Sequence, residues 1–261
     1  MKSLRTNPLA KMKATARRVS TTARSKVLTQ KRLHSIEETL FTRGKVIEKT
    51  YALLKISLSR ELVAKLKDIY ALSERERSEY VGAVKFSRID DFVKYNSPMR
   101  YTDGNPVSVT PPDYMRNNFI MYHSHPIHPQ VHRSTISLPS LADFTYFVNN
   151  YPSLQANIIL ERNGYYLIDI IESTPTTVPD PARAYAMFLR LLELKKINDF
   201  RVPDPTGRDL YLFKVSVPTW KDVINVYIDR VMRHMFKMSV RYYRYTDLPV
   251  ITLVNPDALR P

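Results

Sequence analysis

Residues 119–126 read Phe-Ile-Met-Tyr-His-Ser-His-Pro, and residues 139–143 read Pro-Ser-Leu-Ala-Asp. The first stretch is a mostly apolar run that closes in two histidines one residue apart. Side chains at i and i+2 of a strand point to one face, so a strand end here aims His123 and His125 at one point. Ser140 to Asp143 has the spacing of a helix capping box, with Asp in place of the usual Glu or Gln. A helix is therefore expected from Ser140 to about Asn149. Three protein ligands and one open position make the usual catalytic zinc site. Asp143, in the first turn of that helix, is the best third ligand for Zn2+, and His128 is the other candidate. The plainer reading of His123, His125, His128 and His132 is a histidine cluster on a solvated loop. The fourteen residues between His125 and Ser140 form an irregular loop that either covers the site or displaces the helix that carries Asp143.

Working outward, Tyr51–Ser57 reads as a strand. Ser59 is the N-cap of a helix with Leu62, Leu66, Ile69 and Tyr70 on one face. A charged turn from Glu74 to Ser78 leads into a strand over Glu79–Phe86. Residues 88–117 read as loop, with Asp103-Gly104 and Pro111-Pro112 as turn signals. Ala156–Ile171 reads as a hairpin turning at Asn163-Gly164. A Pro- and Thr-rich linker spans 173–181, and a helix covers 182–197. Leu210–Val217 is expected as a strand. The helix from Lys221 to about Met238 carries Val223, Ile224, Tyr227, Val231 and Met235 at helical spacing, which is an ordinary core pattern. Tyr242–Tyr245 and Val250–Val254 form a final strand region. Interleaved helices and strands give a mixed α/β fold.

Composition narrows the chemistry. The chain has 261 residues, no cysteine and five glycines. Disulfides, iron–sulfur clusters, thiolate zinc sites and cysteine nucleophiles are excluded, so a metal must be held by His, Asp or Glu. No two glycines are close enough for a Rossmann or P-loop phosphate cradle. The net charge is +15, and residues 1–36 hold ten Lys or Arg with no acid. This arm has too few apolar residues for a core of its own. It suits contact with nucleic acid or an acidic protein surface, and an acid-poor, Arg- and Ser-rich start also suits a transit peptide. Without aromatic residues it is not built to stack on bases. There is no apolar run long enough to span a membrane and no apolar segment of a secretory signal. The chain is expected inside a cell, in cytoplasm or nucleus, or inside a virus particle.

His123-Ser-His-Pro126 and Ser140-Leu-Ala-Asp143, with Glu79-Tyr-Val-Gly82 upstream, resemble the JAMM motif of the MPN-domain zinc metalloproteases. The order strand, helix, Glu-strand, loop, HxH strand, Ser-x-x-Asp helix, hairpin also resembles that fold, over about residues 50–172. The resemblance implies an MPN-like central sheet flanked by helices over 37–180, between the arm and a C-terminal extension, 181–261, packed on the same domain. It implies that His123, His125 and Asp143 bind zinc. It implies that Glu79 holds the attacking water as general base and passes the proton to the leaving amine, and that Ser140 hydrogen-bonds the oxyanion. In this family the bond cut is often the isopeptide that joins ubiquitin or a ubiquitin-like protein to lysine.

Two functions follow as expectations. One is a zinc-dependent isopeptidase or peptidase acting on a protein substrate. The other is a structural or assembly protein, a virion component or complex subunit, with an MPN-like domain and a basic arm that binds nucleic acid or a partner. A two-metal phosphodiesterase fits less well, because no second carboxylate cluster accompanies the histidines.

Overall fold

The computed structural model describes residues 42–49, 53–89, 92–101, 120–171, 179–205 and 211–254. The basic arm, the turn signals at 103–104 and 111–112, and most of the 173–181 linker lie outside them. Twelve strands occur among the described residues: β1 (Thr42–Lys49), β2 (Leu53–Ser57), β3 (Val81–Ile89), β4 (Phe92–Tyr101), β5 (Ile120–Ser124), β6 (Thr135–Ser137), β7 (Ala156–Glu161), β8 (Gly164–Ile170), β9 (Arg201–Val202), β10 (Leu212–Lys214), β11 (Met238–Tyr243) and β12 (Val250–Val254). The helices are α1 (Arg60–Glu76), α2 (Leu141–Asn150), α3 (Pro181–Leu194), α4 (Val217–Lys221) and α5 (Asp229–Phe236), with a π-helical stretch, Asp222–Ile228, joining the last two. The fold is mixed α/β, a many-stranded sheet flanked by helices.

Nine strands form one sheet in the order β11-β8-β7-β5-β3-β4-β1-β2-β12, and β6-β10-β9 form a second, small one. Every pairing in the large sheet is antiparallel except β5 with β7. β5 is thus an inner strand whose residues are all buried, which explains its nearly unbroken apolar run. Alternation along β5 decides what each side chain meets. Ser124 faces α1, where its Oγ lies 2.7 Å from Ser73 Oγ. His123 faces the other way, on the side of Met121 and Ile159. These two pack with Phe144 and Phe147 of α2, Phe188 of α3, and Trp220, Ile224 and Met232 of the last helical run.

Local signals account for the helices. Ser59 caps α1 by accepting from Leu62 N, and Leu62, Leu66, Ile69 and Tyr70 are buried, as their spacing predicts. The last helical run starts four residues earlier than expected, at Val217, after the N-cap Ser216 and with Pro218 near its start. Its buried line is Ile224, Ile228, Met232 and Phe236. Met235, expected on that line, is 46% exposed. The π-helical stretch has a wider period than the 3.6 residues assumed in reading the pattern.

Two stretches expected as loop are strands, and a third strand was not expected at all. β4 lies inside the loop expected over 88–117. It contains Pro98, and its register with β3 jumps from Lys85↔Asn96 to Ala83↔Arg100. Residues 97–99 therefore form a bulge, where a residue without an N–H is tolerated. β6 lies inside the expected 126–139 loop and pairs with β10. β1 has no counterpart in the sequence reading. The hairpin turn is also one residue earlier than expected: Glu161 pairs with Gly164, leaving Arg162-Asn163 as the loop. Gly164 begins β8 because a Cβ there would strike the carbonyl oxygen of Tyr243 and lie 2.9 Å from the Tyr242 hydroxyl. Gly164→Ala is expected to destabilise the protein by about 1–3 kcal/mol through overpacking. Urea unfolding checks this, and an unchanged midpoint would refute the close contact.

Candidate metal centre

The backbone delivers the two histidines first. β5 is locked on both sides, His123 opposite Val81 of β3 and opposite Ile159 of β7. Just past the strand, His125 N donates to Leu160 O at 2.8 Å. The pleat therefore continues far enough to place both imidazoles on the face that α2 covers. Their Nε2 atoms lie 3.2 Å apart.

The third group comes with the start of α2. The capping box forms in both directions: Asp143 N donates to Ser140 Oγ at 3.2 Å, and Ser140 N donates to Asp143 Oδ2 at 2.6 Å. A carboxylate fixed in this way has little freedom left to lose on binding an ion. Asp143 Oδ1 is 2.8 Å from His123 Nε2, and Oδ2 is 3.4 Å from His125 Nε2. Ligand atoms of His123, His125 and Asp143 all lie within 4.8 Å of one another, and the three residues are buried. This group could hold a metal ion, and two imidazoles with one carboxylate suit zinc and other first-row divalent ions.

The tautomers suit the same purpose. His125 Nδ1 is 3.2 Å from the Leu138 carbonyl, which can only accept. Nδ1 therefore carries the hydrogen, and the Nε2 lone pair is left to face the group. Burial opposes charge on His123, but the Asp143 carboxylate, with help from Glu79 and Asn157, raises its pKa above the ordinary value. Burial likewise opposes charge on Asp143, yet the two imidazoles hold its carboxyl well below the usual range. The pocket thus keeps Asp143 anionic although it is buried, the charge a bound cation would need.

Glu79 is buried between α1 and β3, and its charge acts on His123. It precedes β3 rather than lying within it, so the expected strand from Glu79 begins at Val81. Ser140 is half-buried, with its oxygen engaged by Asp143 N. His128 and His132 stay out of the metal group. His128 Nδ1 accepts from Gln130 N at 3.3 Å, and the exposed His132 bonds Ser134 Oγ at 2.8 Å. For these two the solvated-loop reading holds, and His128 does not replace Asp143.

The long loop neither displaces α2 nor lies free. Its carbonyls at 127, 128, 131 and 132 are gathered by the Arg162 guanidinium at 3.0–3.3 Å. Asn163 Nδ2 takes those of Arg133 and Thr135 at 3.1 and 3.0 Å. The excess chain is stowed against the β7–β8 turn, and the loop returns through β6 to deliver Ser140.

Asn157 is a residue the sequence reading missed. It sits on β7 opposite Met121, on the His123 face. Its Nδ2 donates to the Asp143 backbone carbonyl at 3.4 Å. Its side chain also stands close enough to the His123 ring to help raise that pKa, behind the larger effect of Asp143. His123 Nδ1 and Asn157 Oδ1 are both buried, and neither has a hydrogen-bond partner among the described residues. The signal was a lone polar residue within an apolar strand. Asn157→Leu removes a polar neighbour of His123 and the donor to the Asp143 carbonyl, and if Asn157 helps orient the site this is expected to weaken zinc binding roughly 10–100-fold. Competition with a zinc-chelating dye measures this, and unchanged affinity would rule out the orienting role.

Comparison of the chain with protein-family models, with curated proteins and with solved structures finds no match.

Proposed function

We propose that the protein is a zinc-dependent hydrolase of the JAMM type that cuts an amide or isopeptide bond in a protein substrate, with ubiquitin or a ubiquitin-like conjugate as the first class to try. The observation that carries this reading is the convergence of His123, His125 and Asp143 on one point, with the buried Glu79 close enough to act on His123. A bound zinc ion would supply a Lewis acid for the carbonyl and lower the pKa of a water to about 7.

The chain's own residues have distinct tasks. Glu79, buried beside the imidazoles, takes a proton from the attacking water and returns it to the leaving amine, as a carboxylate general base does. Ser140 uses an oxygen lone pair for Asp143 N, which leaves its hydroxyl hydrogen to donate to the developing oxyanion. The Leu138 carbonyl holds the His125 imidazole in place, and Asn157 braces the Asp143 backbone beside His123. An MPN-like arrangement of the central sheet belongs to the same proposal.

The test pairs metal content with turnover. Purified protein should hold zinc and cleave ubiquitin dimers, and Glu79→Gln should keep the zinc while losing roughly 10²–10⁴ of the rate. A protein that binds zinc but leaves every ubiquitin-like conjugate intact would reject the substrate class. Equal turnover in Glu79→Gln would reject the base.

A further inference from the structure

A second site lies beyond the metal centre. Where the C-terminal end of α1, the 126–134 loop and the β7–β8 turn meet, a hollow of about 600 Å³ opens to solvent. Among the described residues, four arginines line it, Arg75, Arg77, Arg133 and Arg162, with a single acid, Glu74. That acid is already taken: Arg162 Nε donates to Glu74 Oε1 at 2.6 Å. Arg162 is also saturated by loop carbonyls, so the pair forms a neutral floor. The other three guanidiniums are exposed. Among the described residues Arg75 is paired with Glu76 alone, at 3.8 Å, and Arg77 and Arg133 make no ion pair.

We infer that this hollow binds a compact anion bearing several phosphate groups. Like charges gathered in one concavity are unfavourable unless a counter-charge visits it, and a guanidinium fork matches phosphate oxygens in pairs. The walls are set in advance. The Arg133 carbonyl is pinned by Asn163 Nδ2 at 3.1 Å. Arg77 holds the left-handed C-cap of α1, with φ 55°, a position that ordinarily goes to glycine. The carbonyl end of α1 opposes an anion by about half a charge, which three guanidiniums outweigh.

Size and lining narrow the ligand. The volume is that of a small-molecule site, and one phosphate would fill little of it. Among the described residues no aromatic side chain lines the hollow, so none of them offers a nucleotide base a stacking face. The site shares no ligand residue with the metal centre and stands whether or not that centre is catalytic.

Titration calorimetry of the full chain with inorganic tripolyphosphate, orthophosphate and ATP tests the inference. The comparison protein is Arg77→Gln/Arg133→Gln, which keeps the basic arm and so separates the hollow from general attraction by residues 1–36. One saturable site for tripolyphosphate is expected, with ATP no tighter, weakened at least about tenfold in the double variant. Equal binding by both proteins would overturn the inference and assign the affinity to the arm. Tighter binding of a single-stranded oligonucleotide at the same arginines would overturn it in favour of a nucleic-acid backbone. Both substitutions are on exposed side chains, and an unchanged melting curve and zinc content confirm that the variant is folded. If it is not folded, Arg75→Gln read against tripolyphosphate replaces it, with the same weakening expected and equal binding again overturning the inference.

Discussion

His123→Ala is expected to purify with almost no zinc, where the unaltered protein holds about one ion per chain. Three side chains supply the donors, and two cannot close a tetrahedral site against solvent. The loss should exceed the roughly 10–100-fold that outer-sphere changes cost. The electrostatics deepen it. The Asp143 carboxyl stays ionised in a buried site because two imidazoles face it, and His123, at 2.8 Å, is the nearer. Without that ring, burial acts on Asp143 with one partner fewer, and the carboxyl is less available as an anionic ligand. Thermal melting gives a second readout. A ligand that binds only the native state raises stability by RT ln(1 + [L]/Kd). Added zinc should therefore raise the Tm of the parent protein and leave that of His123→Ala unmoved. A variant with undiminished zinc would show that the ion sits elsewhere, and the proposed chemistry would fall with it.

How much of this was legible depends on how local the signal is. The apolar run before His123 is a property of four consecutive residues, and β5 forms there. The Ser140–Asp143 capping box is a four-residue pattern, and both of its hydrogen bonds are present. Ser59 announced α1 in the same way. The failures are non-local. β6 is three residues long and is a strand only because Leu212–Lys214 pairs with it. β4 is hidden by Pro98, whose bulge makes sense only opposite β3. Asn157 looks like an isolated polar residue until the parallel register with β5 places it on the His123 face. The fate of the 126–139 loop turned on one arginine about thirty residues downstream, whose partners are main-chain carbonyls and leave no trace in side-chain chemistry.

That arginine carries the second large effect. Arg162→Ala is expected to destabilise the protein by about 2–4 kcal/mol, somewhat less than breaking a fully buried ion pair from one side, because Glu74 is 32% exposed. A guanidinium has five N–H donors, and Arg162 has five acceptors: Glu74 Oε1 at 2.6 Å, Val131 O at 3.0 Å, Ile127 and His128 O at 3.2 Å, and His132 O at 3.3 Å. The side chain is 12% exposed, so water cannot readily replace it at all of these carbonyls. Lysine is no substitute, since its three donors converge on one point and cannot span two peptide groups on each side. The consequence reaches the metal. Residues 126–139 connect His125 to Ser140, and stowing them on Arg162 is what makes this long connection short in effect. Released, the loop must be ordered each time Asp143 is brought to the histidines, and that entropy is charged against binding. Arg162→Ala should therefore lose zinc affinity about tenfold or more, although Arg162 contributes no ligand atom. Hydrogen exchange should show the amides of 127–139 losing protection first. If the variant unfolds at the parental urea concentration and holds zinc as tightly, the loop is braced by something other than Arg162, and Asp143 is positioned by its capping box alone.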